Sequence, residues 1–168
     1  MQNNDRFYLS RAMWYGISCA TAVLLPTALF GTPHEMIHIL GGSKILPPIW
    51  IFNLLSTLFC FLVGVAAGAV TEATSRRMNS GKDEISAYKG GLFFLSAFFL
   101  SLIRYNIFFF LGRLLISLIL SVVCLILTIL CCAEWSHIRP KSACGIMALY
   151  SLWQFYILFV NISVFIRS

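Results

Sequence analysis

Apolar residues run in long blocks along this chain, and the polar ones gather between the blocks. A helix that crosses the hydrocarbon of a bilayer needs roughly 20 apolar residues. Five blocks meet that length, at about 13–31, 48–70, 86–109, 113–133 and 142–166. Pro26 lies inside the first, where a transmembrane helix tolerates a kink. Pro47 and Pro48 open the second, Gly112 marks the turn between the third and fourth, and Pro140 precedes the fifth. The connections are short and leave no water-soluble domain. The pattern predicts an all-α polytopic membrane protein, a five-transmembrane-helix bundle forming a single domain over residues 1–168.

Composition agrees. Of 168 residues, 60% are hydrophobic, 15% aromatic and 11% charged, with a mean hydropathy of +0.88. Soluble domains carry roughly 25% charged residues, so most of this surface is expected to face a lipid bilayer rather than water. The net charge of +6 does not signal nucleic acid, because the Lys and Arg residues stand singly or in pairs between apolar blocks. That is where topology signals sit. Arg6, Arg11, Arg76, Arg77, Lys82, Arg139 and Lys141 fall on one side, against Lys44, Arg113 and Arg167 on the other. The excess places the N-terminus in the cytoplasm and the C-terminus outside, in what is expected to be a bacterial cell membrane. Residues 1–11 are polar and no small-residue cleavage site follows, so the first apolar run is expected to be retained. The six cysteines lie nearly all in apolar runs, with no C-x-x-C. They read as small buried thiols, not as a disulfide framework or a zinc knuckle.

One segment carries the residues of a metal site. His34-Glu35-Met36-Ile37-His38 matches the H-E-x-x-H pattern. Two histidines four apart share a helix face and hold zinc, while the glutamate activates water. A catalytic zinc needs a third protein ligand. Asp5, Glu72, Asp83, Glu84, Glu134 and His137 all fall on the opposite side of the predicted bilayer, whose core is about 30 Å thick. Our first reading is therefore a short interfacial helix. An intramembrane zinc metalloprotease using His34, Glu35 and His38 is the alternative, and His38 or His34 as a haem-iron ligand or polar contact to a bound molecule is a third.

The helices themselves carry a more specific constellation. The second opens with "PPIWIF", holding Trp50 and Phe52, and continues through Thr57, Gly64 and Ala66. The third contains "LSLIRYNIFF" over 100–109, and the fifth places Tyr150, Trp153 and Asn161 as Y-x-x-W-x(7)-N. In length, helix number and these spacings, residues 40–168 resemble the TspO/MBR family of tryptophan-rich sensory and translocator proteins. Five aromatic or proline positions of that pattern differ here: Ile45, Ser56 and Arg104 in place of tryptophans, Cys60 in place of a tyrosine, and Leu149 in place of a proline. Ser101 stands where the family's third helix has an asparagine.

The resemblance implies a bundle with a pocket under the first loop, which acts as a lid. It implies a hydrophobic, planar ligand such as a tetrapyrrole (protoporphyrin or haem) or a sterol-like compound. No cofactor is required, and a homodimer is a further expectation. The role would be sensor, carrier or regulator, with porphyrin breakdown on the same fold as an enzymatic alternative.

Each candidate side chain has a physical reading of its own. Trp50 and Trp153 offer flat apolar faces for stacking on a macrocycle, or serve as interfacial belt and core residues. Tyr150 has a hydroxyl for the pocket or for a neighbouring helix. Asn161 needs a partner in hydrocarbon, which an inter-helix bond or a ligand supplies. Arg104, inside the third helix, either snorkels to the surface or offers a counter-charge to an anionic ligand. Gly64 and Gly68 form a G-x-x-x-G that permits close helix packing, within one chain or between two.

Overall fold

The computed structural model describes residues 2–31, 47–76, 82–138 and 141–167. They form five helices: α1 (Gln2–Phe30), α2 (Ile49–Arg76), α3 (Lys82–Phe110), α4 (Leu114–Ser136) and α5 (Lys141–Arg167). All five are long and apolar enough to cross a membrane. Four end within a few residues of where the apolar blocks end, while α2 runs past its block to Arg76. The first begins well upstream, at Gln2, because a polar stretch can continue a helix without contributing to the apolar block.

Neighbouring helices in the chain pack on one another, α2 and α3 only lightly, and two further contacts close the bundle. α1 lies against α2, α3 against α4, and α4 against α5, while α2 meets α5 and α1 meets α3. The helices therefore close in the order α1, α2, α5, α4, α3. Their outer faces are apolar: Leu25, Leu29, Leu54, Phe93, Leu152 and Ile166 are all exposed. That much contiguous apolar surface suits hydrocarbon and not water.

The α1–α2 seam is built from glycines. A Cβ at Gly64 would strike the backbone of Tyr15 and come within 2.7 Å of the Gly16 Cα; one at Gly68 would come within 2.7 Å of the Ala12 Cα. The G-x-x-x-G thus serves close packing inside one chain, where missing side chains let two backbones touch. A second seam runs along α4. Ser117, Ser121, Cys124, Thr128, Cys131 and Trp135 recur at alternating steps of four and three, and all are buried. The hydroxyls of Ser117, Ser121 and Thr128 each donate to the carbonyl three residues earlier, at 2.8 Å, so the helix satisfies them itself. At its end Trp135 fits over Gly91 of α3, which has no Cβ to block the indole.

The sharp α3–α4 turn rests on Gly112 at φ 69°, a left-handed conformation that costs a residue without a Cβ little.

Candidate functional site

A cavity of about 350 Å3 opens between α1, α2, α3 and α5, within the range of small-molecule sites. It lies in the half of the bundle bounded by Gly31 and Pro47, the two ends of the first connection. α1 supplies Val23, Leu24, Thr27 and Ala28; α2 supplies Phe52, Asn53, Ser56, Thr57 and Cys60. α3 adds Leu102, Tyr105 and Asn106, and α5 adds Tyr150, Trp153, Gln154 and Ile157. These side chains are apolar, aromatic or neutral polar; none carries a charge.

One wall is aromatic. Trp153 packs between Phe52 and Phe59, with ring centroids 5.6 Å and 5.4 Å away, and continues to Tyr156 at 5.3 Å. Offset rings at this spacing attract one another and hold a flat face in place. Phe98 meets Tyr150 edge-on at 5.4 Å and 82°, fixing the tyrosine from behind.

The deep end is polar but uncharged. The Gln154 side-chain amide donates to the Tyr150 hydroxyl at 2.6 Å, and that hydroxyl lies 3.6 Å from the Cys60 sulfur. Gln154 and Tyr150 are each 2% exposed, so a bond lost here is not replaced by water. Ser56 stands one turn above Cys60 on α2. Its hydroxyl oxygen is buried and has no hydrogen-bond partner among the described residues. Helical serines ordinarily donate back to their own helix, as Ser96, Ser151 and Ser163 do. A buried hydroxyl left alone costs about 1–3 kcal/mol, and a bound polar group would recover that cost.

The sequence-derived candidates part company here. Phe52, Tyr150 and Trp153 line the cavity. Asn161 sits behind its wall, where it exchanges hydrogen bonds with the Tyr105 hydroxyl at 3.0 and 3.1 Å and donates to the Ile157 carbonyl at 3.0 Å. It joins α5 to α3 and positions Tyr105. Trp50 is 65% exposed at the start of α2, and Arg104 is exposed on the outer side of α3. Neither borders the cavity. His34, Glu35 and His38 lie outside the described residues, as does Ile45.

Among the described residues no three His, Cys, Asp or Glu side chains gather in a metal-holding group. Glu72 is twelve residues beyond Cys60, about 18 Å further along α2 and away from the cavity. Glu134 and His137 close α4 at that same far end.

Several cavity residues escaped the sequence reading. α1 carries no motif at all, so Thr27 gave no signal. Tyr105 and Asn106 follow Arg104 directly, and an amide inside an apolar run was the available clue. Asn53 directly follows "PPIWIF" and belongs to no motif.

Comparison with known proteins gives one match. The family model for the TspO/MBR family matches residues 16–167. No curated protein matches, and no solved structure does. With five membrane-length apolar helices and a match over nearly its whole length, the chain is an integral membrane protein and belongs to the TspO/MBR family.

Proposed function

We propose that the protein binds a hydrophobic, flat molecule in the cavity between α1, α2, α3 and α5, and acts as a membrane sensor, carrier or regulator. The carrying observation is a cavity that, among the described residues, is neutral, has a stacking wall at Trp153 and holds a partnerless buried hydroxyl at Ser56. The apolar walls bind by surface burial, the rings of Phe52 and Trp153 align a planar ligand, and Ser56, Tyr150 and Gln154 read one polar group.

The absence of charge from the lining, among the described residues, refines the ligand class. A sterol-like molecule with a single hydroxyl or carbonyl matches the polar end directly. A tetrapyrrole would place its ring system inside and its carboxylates at the mouth, because an anion deep in this cavity would meet no counter-charge among the described residues to offset its desolvation. The reading includes an N-terminus on the cytoplasmic side, which the distribution of Lys and Arg supports.

The test is a titration of the detergent-solubilised protein with protoporphyrin and its neutral dimethyl ester, read by the Soret band and by tryptophan quenching, and with a fluorescent polyene sterol, read by energy transfer from tryptophan. At least one should bind saturably, and the ester should bind no more weakly than the diacid. Strictly linear, non-saturable signals for all three would refute the proposal.

A further inference from the structure

Two of the six cysteines stand apart from the rest. The thiols of Cys132 on α4 and Cys144 on α5 meet at 3.4 Å. Each also reaches over the other residue's backbone: Cys132 Sγ lies 3.5 Å from the Cys144 carbonyl oxygen, and Cys144 Sγ lies 3.7 Å from that of Cys132. Cys60, Cys124 and Cys131 are buried, whereas Cys19, Cys132 and Cys144 are half-buried. Both sit near the rim. Cys132 is four residues, about 6 Å, from the end of α4, and Cys144 is three residues, about 4.5 Å, from the start of α5. The terminal turns are the parts of these spans nearest the bilayer surface, and so give a reagent dissolved in water its shortest path to the pair.

We propose that Cys132 and Cys144 form a reversible intramolecular disulfide, a redox modification site at the α4–α5 corner. The sulfurs need to close by about 1.4 Å to reach the roughly 2.05 Å of a disulfide, a distance that side-chain rotation covers when the two backbones already lie this near. The oxidant is a small-molecule disulfide of the glutathione type. One cysteine thiolate attacks it, forming a mixed disulfide and releasing one small thiol. The second cysteine thiolate then displaces the other small thiol, leaving the protein disulfide. Two protein thiols are oxidised by two electrons, one small disulfide is reduced to two thiols, and both protons end on those products. The bond pins the start of the helix that carries Tyr150, Trp153 and Gln154. The proposal stands apart from the ligand reading, since its site lies at the other end of the bundle.

The experiment uses the full chain in detergent, reduced, freed of reductant and exposed to glutathione disulfide. The protein is then denatured, its thiols alkylated, and its intact mass and peptide map recorded. The reduced protein should take six labels and the oxidised protein four, with the cross-link mapping to Cys132–Cys144 and reversing with dithiothreitol. Cys132→Ser and Cys144→Ser should each show no intramolecular cross-link under the same treatment. Six labels after oxidation, a cross-link mapping to any other pair, a stable glutathione adduct on one cysteine, or a bond between two chains would overturn it.

Discussion

Asn161 of α5 and Tyr105 of α3 hold each other by two hydrogen bonds, at 3.0 and 3.1 Å, with both side chains buried. Tyr105 borders the cavity and Asn161 does not, so the amide acts on the site by fixing its neighbour. Inter-helix polar pairs in membranes average about 0.6 kcal/mol and reach about 1.7 kcal/mol. A double-mutant cycle of Asn161→Leu and Tyr105→Phe, scored by denaturation in detergent, should return a coupling of about 1 kcal/mol. Additive effects would show that the two groups do not act as a pair.

The glycine seam gives a sharper contrast. Gly64→Val drives a side chain into the backbone of α1, a contact that no rotamer change relieves. The expected cost is about 3 kcal/mol or more, read as loss of folded protein on size-exclusion chromatography. Gly145 has nothing within 4 Å of where a Cβ would stand. Gly145→Ala should therefore be neutral or stabilising by up to about 1 kcal/mol, through helix propensity alone.

Much of this architecture was legible beforehand, and the reasons for the gaps are physical. Apolar block length marks where a helix crosses lipid, so the five spans emerged from the sequence. It cannot mark a helix that continues into polar residues, which is why the start of α1 at Gln2 was hidden. The G-x-x-x-G announced a close contact but not its partner, because Ala12, Tyr15 and Gly16 sit on another helix. Phe52, Tyr150 and Trp153, which the family resemblance picks out, line the cavity. The phase of α3 was not: one step along a helix turns a side chain by about 100°, which is the difference between Tyr105 facing the cavity and Arg104 facing outward.

That outward position carries its own consequence. Arg104→Leu should leave the affinity of a neutral ligand within twofold of the unaltered protein, whereas Trp153→Ala should lower it about tenfold by removing a stacking face worth about 1.4 kcal/mol. Equilibrium titration of both variants with the same ligand decides this. Unchanged affinity in Trp153→Ala, or a tenfold loss in Arg104→Leu, would contradict this placement of the two side chains.

Ser56 should trade stability against binding. Ser56→Ala removes a buried hydroxyl that has no partner, so the ligand-free protein should gain about 1 kcal/mol. A ligand with a hydroxyl or carbonyl should bind the variant several-fold more weakly, and one without a polar group should bind it equally well. Thermal unfolding and calorimetric titration report the two halves separately.

The most direct test of the cavity as the binding site uses its own tryptophan. In a protein with Trp14, Trp50 and Trp135 replaced by Phe, Trp153 is the sole indole. A ligand of the class described should quench it saturably, and Ser56→Trp, read by the Soret band or by calorimetry, should abolish binding by filling the space. Saturable binding that leaves Trp153 emission unchanged, or that persists undiminished in Ser56→Trp, would contradict the account.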